Sequence, residues 1–360
     1  VWLVQAPRLK TIFLGLLAVI LLGEAFATGT VKETPQRTAL KLAFVGDIYL
    51  GGFMQGKNLK DPSYPFTQVA PVLNNSDILI GNLESPLSLK GEVWLEKTFT
   101  LQTDPRTVQS LKFANFSVLT LANNHIMDFG PEALAETLAV LDKNNIKRAG
   151  AGMNLAEARR PAILDHNGLT IAVLAYNNTF PLEFNAGPNR PGTAYGDLPV
   201  VLQDIRAVRE KADIVIVAFH WSAELLEIPK DYQRIFAKKC IAAGANIVIG
   251  HHPHILQPLE VIDGGLVAYS LGNFAFASMS RKVKDSVILL VECDEKGPYR
   301  AVLVPLNVNN PEVQGQTRIR HGEDGARVIR HLQKISTPFN TQIHLLPDGT
   351  GELLLRPSTQ

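Results

Sequence analysis

The chain has 360 residues, 46% of them hydrophobic and 19% charged, with a formal net charge of +1. This composition is that of a globular protein rather than a disordered or fibrous one, and the lack of a basic excess argues against a nucleic-acid binder. Only Cys240 and Cys293 occur; both fall in patterns that read as small buried hydrophobes, which excludes a disulfide scaffold.

At the amino terminus Arg8 and Lys10 precede the apolar run Ile12 to Gly23, and Ala25-Phe26-Ala27 follows. A positive segment, an apolar segment and a small-x-small triplet form the order of a secretory signal peptide, so residues 1–27 are expected to be a leader. The run is shorter than the ~20 residues of a comfortable membrane span; an uncleaved N-terminal anchor is the alternative. The expected location is secreted, periplasmic or cell envelope, with or without that anchor. Without Arg8, Lys10 and Glu24 the basic and acidic side chains are equal in number, so nothing points to electrostatic capture of a polyanion.

A polar linker, residues 28–39, leads into alternating elements. Strands are expected at 40–45, 78–80, 116–121, 169–176, 213–219 and 245–249. Helices are expected between them, at 63–75, 104–114, 131–144, 199–211 and 230–243. Asp104 reads as an N-cap with Pro105 in the first turn, and Leu134, Leu138 and Leu141 share one face of the 131–144 helix. Residues 266–271, 286–293 and 300–306 form a β-rich run, followed by a helix at 323–336 and a hairpin at 341–355. The order predicts a layered α/β fold with mixed sheets. One domain is expected over 40–306, with 307–360 as an extension of it.

Polar clusters follow five of the strands: Gly46-Asp47; Gly81-Asn82-Leu83-Glu84; Asn123-Asn124-His125 with Asp128; His220-Trp221 with Glu224; and Gly250-His251-His252-Pro253-His254. In open α/β sheets ligands gather outside the carboxyl ends of strands, so these side chains can converge on one rim. Imidazole suits zinc, iron, nickel and similar ions. A carboxylate can bridge two ions, which together clamp both oxygens of a displacement. His125 need not be a ligand; with Asp128 three residues on, it can be a proton donor oriented by a carboxylate. Each cluster alone also reads blandly, as a turn, a helix cap or a satisfied core pair. The histidine run is the hardest to explain that way.

The stretches Phe44-Val45-Gly46-Asp47-Ile48, Gly81 to Pro86, Ala122 to Gly130, His220-Trp221 with Glu224, Gly250 to His254 and Tyr269 to Phe274 resemble the CapA-type poly-γ-glutamate capsule biosynthesis proteins. That family is similar to the calcineurin-like metallophosphoesterases. The resemblance implies a four-layer α/β/β/α sandwich of the metallo-dependent phosphatase type. It implies one or two divalent ions, with manganese, iron and zinc the candidates. Asp47 and His254 would serve the first ion, Glu84 would bridge, and Asn124, His220 and His252 would serve the second. His125 would act on the leaving group with Asp128 behind it. Asn82, Asn123, Glu224, His251 and Asn273 are the expected supporting or substrate-facing residues.

Three positions depart from the pattern: Tyr49 stands where phosphoesterases carry a ligating His, Glu84 stands where they carry Asp, and Ser222 stands in place of the Gly of a His-Trp-Gly motif. The first metal position is therefore expected to be short of a ligand. The resemblance implies a role in poly-γ-glutamate or another cell-surface polymer, with an acidic polymer and membrane-bound synthase components as partners. A metal-dependent hydrolase of phosphoesters or of polymer amides or esters is the first alternative, and a non-catalytic polymer-binding subunit the second. No Walker-type phosphate loop is present, which argues against ATP-driven ligation by this chain alone.

Overall fold

The computed structural model describes residues 39–356. The expected leader or anchor, and nearly all of the linker, lie outside them. Among the described residues no helix is long and apolar enough to cross a membrane.

The first stretch of chain lays down β1 (Leu40–Tyr49), β2 (Ile78–Leu83), β3 (Phe116–Thr120) and β4 (Lys147–Ala149). Then come β5 (Ala151–Gly152), β6 (Ala162–His166), β7 (Leu169–Asn177), β8 (Gly192–Thr193), β9 (Ile214–His220), β10 (Ile247–His251), β11 (Leu259–Ile262) and β12 (Gly265–Ala268). The last described strands are β13 (Asn273–Phe276), β14 (Asp285–Asp294), β15 (Gly297–Asn307), β16 (Arg318–Ile319), β17 (His344–Leu345) and β18 (Gly351–Leu354). One sheet runs β17-β18-β15-β14-β1-β2-β3-β4, with β13 beside β1 and β16 beside β15. A second runs β11-β12-β10-β9-β7-β6, and β5 and β8 form a small two-stranded sheet. β1 to β4 are mutually parallel, as are β12, β10, β9 and β7.

Side-chain alternation decides the layers. Leu40, Leu42 and Phe44 of β1 join Ile78, Ile80 and Val118 in a core shared with Ile171, Ile216 and Ile249 of the other sheet. Ala43 and Val45 face the opposite way, toward Leu111, Leu134, Leu138 and Leu141 of the covering helices Val108–Phe113 and Gly130–Lys143. On the far side Leu174, Val217 and Val248 meet Val201, Ile205, Ala237 and Cys240 of the helices Leu198–Arg209 and Asp231–Ala242. The stack is helix, sheet, sheet, helix, as expected. A one-residue slip of β1 would turn Leu40, Leu42 and Phe44 out of the inner layer, forfeiting ~1.5–3 kcal/mol each. The core therefore fixes the register that places Asp47.

Three local expectations are corrected. The helix expected over 63–75 is a run of turns that becomes helical only at Ala70–Leu73, because Pro71 has no N–H to continue the ladder. β1 and β2 do not stop before their polar clusters but carry Asp47 and Asn82 within them. The 104–114 helix opens with a 3-10 turn over Pro105–Thr107, and the Asp104 carboxylate accepts from Arg106 N at 2.9 Å, the expected cap. Cys240 and Cys293 are buried free thiols. The late helix Gly322–Ser336 inserts Val328, Ile329, Leu332 and Ile335 into the core between the sheets.

Candidate metal centre

Strand pairing lines the polar groups up in two rows. In the first sheet Asp47 is in register with Asn82 of β2 on one side and Asn273 of β13 on the other. In the second, His220 is in register with His251 of β10 and Asn177 of β7. Apart from Asn273, which opens β13, both rows sit toward the carboxyl ends of parallel strands. The tight approach of β1 to the 272 turn requires glycine at 46, where a Cβ would fall 1.8 Å from Gly272 O. The bulge there leaves Asp47 N donating to Gly272 O at 3.0 Å. Gly250 is demanded in the same way: a Cβ would lie 1.9 Å from Tyr269 O, the acceptor of the Trp221 indole N–H at 3.0 Å.

The buried centre is dense in contacts. Asn82 Nδ2 donates to Asp47 Oδ1 at 2.8 Å, and Asn82 Oδ1 accepts from Asn123 Nδ2 at 3.1 Å. Asn123 Oδ1 in turn accepts from the His125 and Ile126 amides, shaping the loop that presents Asn124. Asn124 Oδ1 lies 2.8 Å from His220 Nε2. His254 Nδ1 lies 2.8 Å from Asn273 Oδ1 and 3.2 Å from Asp47 Oδ2, while His251 Nδ1 lies 3.1 Å from Asp47 Oδ1. Glu84 Oε1 lies 3.5 Å from His220 Nε2 and 3.8 Å from His254 Nε2. His252 (φ +95°), His254 (φ +60°), Ser222 (φ +77°) and Leu225 (φ +57°) all occupy left-handed backbone conformations. Such strain in non-glycine residues costs ~1–3 kcal/mol each and clusters at functional sites.

Charge follows burial and neighbours. Burial would raise Asp47, but contacts with His251 and His254 outweigh it and hold the carboxyl well below its usual range. Burial and then the Asp47 charge push Glu84 well above its own. Burial and the neighbouring His254 press His252 down to about 3. For His254 burial acts downward, yet Glu84 and Asp47 lift it to about 10. Burial and His252 hold His220 well below the usual imidazole range.

These residues fit a divalent ion. Ligand atoms of Asp47, Glu84 and His220 lie within 4.8 Å of one another, as do those of Glu84, His252 and His254. Glu84 belongs to both sets. Glu84 Oε1 and His252 Nδ1 are buried without a hydrogen-bond partner, and such orphaned groups are costly unless something binds them. The resemblance implied His254 with Asp47 and His252 with His220; His254 Nδ1 lies 3.2 Å from Asp47 Oδ2, and the His252 ring centre lies 4.8 Å from that of His220 and 5.9 Å from that of His254.

The Tyr49 ring packs edge-on against Phe276 at 5.5 Å and lines a cavity together with His125 and His254. His125 and Asp128 stand beside the buried centre, with His125 Nδ1 2.6 Å from Asp128 Oδ2. Burial lowers His125 against the pull of Asp128. His125 and the exposed Glu224 line two cavities, of about 300 and 580 Å³. The first also touches His254 and Asn273; the second touches Asn124.

Sequence pattern missed two groups. Asn177 ends β7 as the other polar residues end theirs, and the strand-end rule could have found it; it is fully buried, with Oδ1 accepting from Thr179 N at 3.0 Å. Lys97, in an aperiodic stretch, carries no local signal, yet its ammonium reaches Asp128 Oδ1 at 2.6 Å.

The bacterial capsule synthesis protein family PGA_cap matches residues 41–278. The chain is 34% identical over 308 residues to the PGA biosynthesis protein CapA of Bacillus subtilis, spanning 83% of this chain and 81% of that one. It is 32% identical over 340 residues to the capsule biosynthesis protein CapA of Bacillus anthracis, spanning 91% and 82%. Among solved structures, the Haemophilus influenzae NAD nucleotidase overlays with a TM-score of 0.45 at 12% identity, over 83% of this chain and 57% of that one. The calcineurin-like phosphoesterase YfkN of Bacillus subtilis gives 0.43 at 13%, over 78% and 88%. These overlays are loose, and no residue role rests on them.

Proposed function

The chain belongs to the bacterial capsule synthesis protein family PGA_cap, and from that premise we propose that it serves the synthesis of poly-γ-glutamate or another acidic surface polymer through a divalent-metal centre. The observation that carries the metal part is Glu84, common to both ligand sets and with Oε1 buried and unpartnered. Asp47, Glu84, Asn124, His220, His252 and His254 would hold one or two ions of manganese, iron or zinc. Bound there, such ions supply an acidified water and a clamp for the oxygens of a displacement. Asn82, Asn123, His251 and Asn273 orient the ligands through the contacts above, which is how outer residues tune a metal site. Export to the cell envelope and association with membrane-bound synthase components belong to the same reading.

A second reading, hydrolysis of a phosphoester or of an amide or ester in the polymer, is favoured by the His125–Asp128 pair. With Nδ1 on the carboxylate, His125 has Nε2 for exchanging a proton with a bound substrate, and Glu224 stands at the mouth to contact that substrate.

Complementation tests the function. In a capsule-forming bacterium that lacks its own family member, the wild-type chain restores surface polymer and Glu84→Gln does not. Equal restoration by both would remove the metal centre from the function; restoration by neither would remove the polymer.

A further inference from the structure

We propose that Lys97 is a positioning residue of this centre: its ammonium clamps Asp128 so that His125 is held with Nδ1 on the carboxylate and Nε2 free for substrate. The inference rests on the reading of His125 as the group that exchanges a proton with substrate.

Asp128 is fully buried, and its two oxygens divide their work. Oδ2 faces His125 Nδ1 at 2.6 Å and accepts from Leu101 N at 2.7 Å. Oδ1 accepts from Lys97 Nζ at 2.6 Å. The same ammonium donates to the carbonyl oxygen of Asn124 and stands 3.2 Å from His125 Nδ1. An ammonium has donors only and could donate to an unprotonated Nδ1, but its 3.2 Å approach is longer than the 2.6 Å contact of Nδ1 with Asp128 Oδ2, which sets the proton. An unprotonated Nδ1 would set two lone pairs against each other 2.6 Å apart at Asp128. The proton therefore sits on Nδ1 and points at Asp128, while Lys97 fixes the carboxylate from its other side.

The clamp is itself anchored. The Lys97 side chain is 16% exposed, and its ammonium lies 5.2 Å from the centre of the Phe184 ring, a cation–π contact. Trp94 stacks on that ring at 5.6 Å and donates its amide to Asp128 O at 2.9 Å. An otherwise irregular segment is thus fastened to Asp128 at Trp94, Lys97 and Leu101. Without the ammonium, the Asp128 carboxylate can swing and the imidazole can flip or change tautomer.

The test is histidine-selective nitrogen NMR on the full chain at neutral pH, with the His125 signals assigned by a His125→Asn variant. The wild type is expected to show His125 as a single Nδ1-protonated tautomer. Lys97→Met should give a mixture of tautomers, and Lys97→Arg should restore the single form; Lys97→Gln stands in if Lys97→Met melts early. In any turnover assay, Lys97→Met should lower kcat by about tenfold to a hundredfold with KM little changed, the usual cost of losing an outer-shell partner. A fixed wild-type tautomer in Lys97→Met or Lys97→Gln overturns the clamp. Metal content, measured on the same samples, separates the two readings: a metal-loaded variant with a fixed tautomer refutes the clamp alone, and a metal-free wild type with a fixed tautomer refutes only the metal.

Discussion

The Glu84 carboxylate lies 3.5 Å from His220 Nε2, yet its Oε1 accepts no hydrogen bond and is fully buried. With Asp47 acting on it as a like charge, Glu84 in a metal-free centre is poorly satisfied, and a bound cation removes both costs. Chelation should therefore lower the melting temperature. An ion at about a hundredfold excess over its Kd contributes about 2.7 kcal/mol. Glu84→Gln should abolish most of the difference between chelated and metal-loaded melts, measured by calorimetry.

Metal loading should release protons. Without an ion the Glu84 and Asp47 charges lift His254 to about 10, so at neutral pH it holds a proton. Ligation needs the neutral imidazole. Proton release on binding means that affinity rises with pH below that raised value. Titration calorimetry in two buffers of different ionisation heat should show net release; uptake, or no exchange, would mean that His254 is not a ligand.

Ser222 occupies φ +77° and leaves Oγ buried without a partner. Glycine takes that conformation freely, which gives a physical reason for the Gly of the family pattern at this position. Ser222→Gly should stabilise the fold by ~1 kcal/mol or more, raising the melting temperature by a few degrees. A lowered value would show that the backbone is not strained there.

Gly250→Ala should act in the opposite direction. The added methyl meets Tyr269 O and Trp221 Nε1 within 2.4 Å, so the strand end must shift. Overpacking of this kind costs ~1–3 kcal/mol. Because His252 and His254 follow directly, metal affinity should fall with stability, read as metal content after dialysis.

The sequence made the strand-end convergence legible because each cluster follows an apolar run that can only be a buried strand. It also made the layers legible, since Leu134, Leu138 and Leu141 keep a helical period. The 63–75 segment misled because its apolar residues suit a helix while Pro71 breaks the ladder. The left-handed turns at His252 and His254 were not legible, since neither residue is a glycine that would announce a positive φ. Lys97 was hidden because it reaches Asp128, 31 positions further along the chain, a contact that no local period encodes.

The most direct measurement is anomalous scattering from crystals of the full chain grown with manganese. One or two peaks bonded to Glu84, with His220, His252 or His254 completing each shell, are the predicted result. A metal-loaded crystal with no peak at Glu84, or with ions only on surface carboxylates, would contradict the account.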